Sequence, residues 1–135
     1  MRSLLIVDDE ADARFTLRQM LRKLECTVLE ASDGVAALEV INENPVDLVI
    51  SDIRMPRMDG MRLLREIKDT RGDIEVLLIT AYGEIKDALE ALEQGAFGYI
   101  WKPVGKDELV VKVEKALMKR DLERRNGFQG RGTTE

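Results

Sequence analysis

The chain has 135 residues, enough for one domain with a single core, and its 44% hydrophobic and 35% charged residues describe a folded globular protein, not a disordered one. A formal net charge of −5 argues against general nucleic-acid binding, which needs a basic face. No apolar run approaches the roughly 20 residues that span a bilayer, and two acids follow the first apolar run too early for a signal peptide, so the expected place is the cytoplasm, away from membranes.

In chain order, Leu4 to Val7 is a continuous apolar strand that ends on Asp8-Asp9-Glu10. Ala13, Leu17, Met20, Leu21 and Leu24 follow at helical spacing, which predicts a helix over residues 11–24. Cys26, the single cysteine, fits a reducing compartment and reads as a small core residue entering a second strand, Thr27 to Ala31. Asp33 is placed to cap a helix carrying Ala37, Leu38 and Ile41, which stops before Asn44-Pro45. The third strand, Leu48 to Ile50, ends on Asp52, and Pro56 forbids its continuation. The loop from Met55 to Gly60 leads into a helix with Leu63, Leu64 and Ile67 inward. Ile74 to Thr80 is the fourth strand, and a helix with Ile85, Ala88, Leu89 and Leu92 ends at Gly95. Phe97 to Trp101 is a short fifth strand that reaches Lys102-Pro103. The last helix starts near Lys106, with Leu109, Val113, Ala116 and Leu117 as its core positions. Beyond Met118 the residues are mostly charged, which reads as a solvated helix end, and Gly127, Gly130 and Gly132 suggest a flexible tail. Strand and helix alternate five times, which predicts an α/β domain with a doubly wound parallel sheet, helices on both faces.

Polar residues collect at the carboxyl ends of these strands, where open parallel sheets bind ligands. They are Asp8 and Asp9 from the first strand, Asp52 from the third, Thr80 from the fourth and Lys102 from the fifth. Carboxylates brought this close repel one another, and a divalent cation such as magnesium, which takes oxygen ligands, resolves the conflict. The chain contains no histidine, which removes histidine-based triads, histidine zinc sites and any phosphohistidine of its own. Asp52 can instead act as a nucleophile towards phosphorus, with Lys102 and the metal neutralising charge on the transferring group. Thr80 can then donate a hydrogen bond to that group.

These positions together resemble the receiver domain of bacterial two-component response regulators over about residues 3–120. Asp8-Asp9 is similar to the family's acidic pair, Asp52 to its phosphoacceptor, and Thr80-Ala81 to its switch hydroxyl and small neighbour. Tyr99 matches the switch aromatic, and Lys102-Pro103 the lysine and a proline usually preceded by a cis bond. The resemblance implies a flavodoxin-like sheet of strand order 2-1-3-4-5. It implies Mg2+, with Mn2+ as a substitute, bound by Asp9, Asp52 and the backbone carbonyl of Arg54, with Asp8 acting through water. It implies a sensor histidine kinase as phosphodonor and a switching face formed by the fourth helix, fifth strand and fifth helix. The stretch from Asp52 to Gly60 and Thr80-Ala81-Tyr82-Gly83 is most similar to receivers of nitrogen-regulatory transcription activators. In those proteins the last helix continues as a dimerising linker, so residues 1–120 read as the receiver and 121–135 as a helical extension and tail towards an output domain. Sustained apolar heptads are missing from that extension.

Taken singly, Thr80 is an ordinary helix cap, Tyr99 ordinary packing and Lys102 an ordinary surface lysine; their company gives them a function. Trp101 reads equally as an exposed contact or as strand packing, and Glu10 as a helix start. Arg54 and Tyr82, two positions past Asp52 and Thr80, would crowd a water attacking the phosphoryl group and prolong its lifetime. Two alternatives remain: a magnesium-dependent aspartate phosphatase of the haloacid dehalogenase type, and an interaction module that is not phosphorylated. The first expects an aspartate where Arg54 stands, and the second expects gaps in a site that is full.

Overall fold

A computed structural model describes residues 2–81 and 85–130, with side chains to Arg124. Five parallel strands, β1 (Arg2–Val7), β2 (Cys26–Ala31), β3 (Leu48–Asp52), β4 (Glu75–Thr80) and β5 (Gly98–Trp101), form one sheet in the order β2-β1-β3-β4-β5. The helices between and after them are α1 (Ala11–Met20), α2 (Gly34–Glu43), α3 (Gly60–Thr70), α4 (Ile85–Glu93) and α5 (Lys106–Gly130). The expected architecture and strand order are what the chain adopts.

Alternation along the strands divides the core in two. Leu5, Val7, Val49, Val76 and Leu78 face α2, α3 and α4, while Leu4, Ile6, Ile50, Leu77, Ile79 and Ile100 face α1 and α5. The central strands β1, β3 and β4 are covered on both faces, which is why their apolar runs are nearly unbroken. Asp33 caps α2 by accepting from the Ala36 amide, and Asp59 caps α3 by accepting from the Arg62 amide at 2.9 Å. Gly95, just past α4, has a φ of +103°, as a glycine C-cap requires.

Two helix ends and one charged turn differ from the sequence pattern. α1 stops at Met20, and tight turns from Arg22 to Gln19 and Leu24 to Leu21 follow, because buried Leu21 ends the helix where the chain must reverse into β2. α5 continues through Gly127 to Gly130, past the point where glycine suggests a tail. Its charged turn is also not simply solvated. Arg120 is buried and donates from Nε to Asp47 at 2.9 Å and from Nη1 to the Asp73 carbonyl at 2.9 Å. Asp47 in turn accepts from the Ser3 amide at 2.8 Å, so one guanidinium gathers the starts of β1, β3 and β4 at the end of the sheet opposite the acidic cluster. Lys119 pairs with buried Glu75, and Arg2 with Asp121.

Candidate functional site

Strand register builds the site. Val7 of β1 pairs with Ser51 of β3, so the residues that follow, Asp8 and Asp52, stand side by side at the carboxyl ends. Asp52 pairs with Ile79 and Thr80 with Trp101, which sets Thr80 and Lys102 beside the same crevice. One carboxylate oxygen from each of Asp8, Asp9 and Asp52 lies within 4.8 Å of the others. Asp8 and Asp52 are buried and Asp9 is exposed, so the cluster has a dry floor and one wet side.

Burial is the main reason the Asp8 pKa is raised. The Glu10 amide, donating to Asp8 Oδ1 at 2.9 Å, opposes that rise, whereas the charges of Asp52 and Asp9 add to it. Lys102 Nζ lies 2.9 Å from Asp52 Oδ2. Partial burial works against the Lys102 charge, but the hydrogen bond and charge of Asp52, with Asp8 and Glu10 behind it, outweigh that and raise its pKa. The second Asp52 oxygen, Oδ1, is 3.4 Å from the Arg54 amide. Three carboxylates against one nearby ammonium leave an excess of negative charge, and an all-oxygen donor set of this kind suits a hard divalent cation.

The loop after Asp52 is held close to the site by backbone contacts. Gly60 donates its amide to the Ile53 carbonyl at 2.8 Å, and a Cβ on Gly60 would lie 2.4 Å from the Asp52 carbonyl oxygen. Only glycine lets the chain approach so closely. Arg57 takes a positive φ of 69° and pairs with Asp33 at 3.3 Å, and exposed Arg54 pairs with Asp87 of α4 at 3.6 Å.

Thr80 is fully buried at the end of β4, with its hydroxyl 3.4 Å from the Ala81 carbonyl, and Ala81 is exposed. Leu78 pairs with Tyr99, so Thr80 and Tyr99 point to the same face of the sheet, the one α4 covers. Tyr99 is half-buried and meets Trp101 edge to face, with centroids 5.2 Å apart. Trp101 therefore packs, half-buried, against its neighbour on the strand. The Lys102–Pro103 bond is cis. Tyr82 lies outside the described residues. Glu10 stands at the N-cap of α1 without a side-chain cap, in keeping with its reading as a helix start. Lys112 is the residue that sequence pattern gave no reason to select: its Nζ donates to the Tyr99 carbonyl at 2.8 Å. Its one local signal is an i,i+4 pair with Glu108.

The fold and this acidic crevice are those of a phosphate-signalling module. The chain belongs to the response regulator receiver domain family, which it matches over residues 4–114. It is 42% identical over 114 residues to the transcriptional regulatory protein GlrR of Escherichia coli, covering 84% of this chain and 26% of that protein. Against the DNA-binding transcriptional regulator NtrC of Escherichia coli it is 40% identical, over 83% of this chain and 24% of that protein. The crystal structure of the receiver domain of NtrX from Brucella abortus superposes with a TM-score of 0.82 at 36% identity, covering 85% of this chain and 98% of that one. The chain thus spans about a quarter of the length of the curated relatives it matches. Receiver domains are signalling modules that take phosphoryl groups from histidine kinases and bind Mg2+ at an acidic pocket. These matches do not favour the aspartate phosphatase or the unphosphorylated interaction module. Among the described residues, no helix is long and apolar enough to cross a membrane.

Proposed function

We propose that Asp52 accepts a phosphoryl group from a sensor histidine kinase and that the modified crevice switches the face formed by α4, β5 and α5. A carboxylate oxygen of Asp52 forms the new bond to phosphorus while the bond from phosphorus to the donor breaks, leaving an aspartyl phosphate. Lys102, already 2.9 Å from Asp52, stays with the transferred group and neutralises its oxygens. Asp9, Asp52 and the Arg54 carbonyl would hold Mg2+ directly, and Asp8 through water, with Mn2+ as a substitute. When bound, the cation supplies positive charge for the equatorial oxygens. The observation that carries this reading is the convergence of Asp8, Asp9 and Asp52 within 4.8 Å beside the Lys102 ammonium.

The switch follows from the added charge and acceptor oxygens. Thr80 turns its hydroxyl towards the phosphoryl group, and Tyr99, on the same face, moves into the space that this vacates. Residues 1–120 act as the receiver, and 121–135 lead towards an output domain of the kind that controls transcription. Exposed Ile85, Leu89 and Leu92 on α4, with Val111 and Met118 on α5, support a homodimer through this face or along the last helix. The domain itself has no role in binding nucleic acid and catalyses only its own phosphorylation and dephosphorylation. Incubation with acetyl phosphate and Mg2+, read by intact mass, tests the proposal. A magnesium-dependent gain of one phosphoryl group that Asp52→Asn abolishes supports it; a gain that survives the substitution refutes it.

A further inference from the structure

Among the described residues β5 is the edge strand of the sheet, and no further strand pairs its outer side. At Tyr99 this edge is covered from α5, whose Lys112 donates to the Tyr99 carbonyl at 2.8 Å. The same ammonium lies 5.8 Å from the centroid of the Tyr99 ring, within reach of a cation–π attraction. Glu108, one turn earlier on α5, lies 3.2 Å from Lys112 Nζ and fixes where that ammonium points. Trp101 meets the same ring edge to face, with the planes 74° apart. Tyr99 is therefore held at its backbone and its ring by one cation, and that cation belongs to α5, which runs on to Gly130.

We propose that Lys112 is a positioning residue for Tyr99: its ammonium, aimed by Glu108, holds the ring in its resting place and couples any movement of the ring to α5. The proposal rests on the reading of Tyr99 as the switch aromatic. A ring that moves towards Thr80 leaves the cation, so the contact opposes switching in the unphosphorylated chain. A ligand that binds only the switched state then has an apparent Kd raised by the rarity of that state. Loss of a partly exposed cation–π contact should enlarge the switched fraction about two- to fivefold.

The test titrates beryllofluoride, a phosphoryl mimic, with Mg2+ into wild type, Lys112→Met and Lys112→Arg. The readout is the emission of Trp101, the chain's single tryptophan. Lys112→Met is expected to bind about two- to fivefold tighter and to begin with a spectrum already moved part of the way to saturation. Lys112→Arg, which keeps the charge, is expected to stay near wild type. Equal affinity and an equal resting spectrum for Lys112→Met would overturn the proposal. Should that variant fold poorly, Glu108→Gln, which frees the Lys112 ammonium, must shift both readouts in the same direction, and no shift overturns the proposal as well. Phosphoryl uptake from acetyl phosphate is measured in parallel on wild type. Absent uptake sinks the phosphoacceptor reading, whereas normal uptake with an unshifted Lys112→Met sinks the clamp alone.

Discussion

Lys102 Nζ meets Asp52 Oδ2 at 2.9 Å across the crevice, joining residues 50 positions apart in the chain. The pair brings a neutralising charge to an acidic cluster before any phosphoryl group arrives. Lys102→Met keeps the side-chain stem and removes that charge. Phosphoryl uptake at Asp52 should fall about 10²-fold or more, in line with the loss of one preorganised charge-stabilising group. Stability should change little, because the Lys102 side chain is 44% exposed. Rates of acetyl phosphate labelling alongside thermal melts check both halves.

Gly60 is the tightest point of the loop behind the site. Gly60→Ala places a methyl 2.4 Å from the Asp52 carbonyl oxygen and 2.9 Å from the Ile53 Cα, and backbone there must move. A loss of about 1–3 kcal/mol in denaturant unfolding is expected, with slower phosphorylation because Asp52 itself is displaced. Gly98→Ala, whose Cβ would meet only the Leu77 side chain at 3.8 Å, an ordinary contact, is the control and should be near neutral.

Arg120 is 6% exposed and bridges Asp47 and Asp73. Arg120→Met should destabilise the domain by about 2–3 kcal/mol, below the 3–5 kcal/mol of a fully buried pair because Asp73 is half exposed. Hydrogen exchange should quicken in α5 near residues 117–121 and at the starts of β3 and β4, while Asp52 is still phosphorylated.

Glu75 gives the domain a pH signature remote from the site. Burial first, then the hydrogen bond with Glu123, raises its pKa, against the pull of Lys119. A carboxyl whose folded pKa is raised binds its proton more tightly when folded, so its contribution is present at low pH and lost as pH rises through the folded value. Glu75→Gln removes that loss. Its melting temperature should exceed that of wild type at neutral pH, and the gap should close as pH falls towards the ordinary carboxylate range. A gap that widens on acidification would reverse the sign of this account.

Arg54 and Tyr82 should prolong the phosphoryl lifetime by crowding water. The double substitution Arg54→Asn, Tyr82→Glu should speed dephosphorylation, measured as decay of the labelled protein after the donor is removed. Equal decay rates would refute the role.

The legible parts of this molecule were those with a local signature. Unbroken apolar runs announced β1, β3 and β4, and the polar residue ending each run announced the crevice, because a carboxylate or hydroxyl after a buried apolar run stands at the rim of the sheet, where other polar groups must satisfy it. Asp33 and Gly95 announced helix ends for equally local reasons. For the opposite reason the burial of Arg120 and the reach of exposed Lys119 to buried Glu75 do not show in a turn that reads as solvated. Their partners Asp47, Asp73 and Glu75 lie 44 to 73 residues away, and a charged helical turn looks the same whether it meets water or buried acids. Lys112 was invisible in the same way, since its partner is a carbonyl on an edge strand and backbone atoms carry no sequence signal.

The central claim concerns one side chain, and borohydride reduction tests it most directly. An aspartyl phosphate is an acyl phosphate, and borohydride converts it to homoserine, which marks the residue permanently. After treatment with acetyl phosphate and Mg2+, peptide mass analysis should find homoserine at position 52, and chelation of the metal should abolish it. Homoserine at position 8 or 9 in its place, or labelling that persists without a divalent cation, would contradict the account.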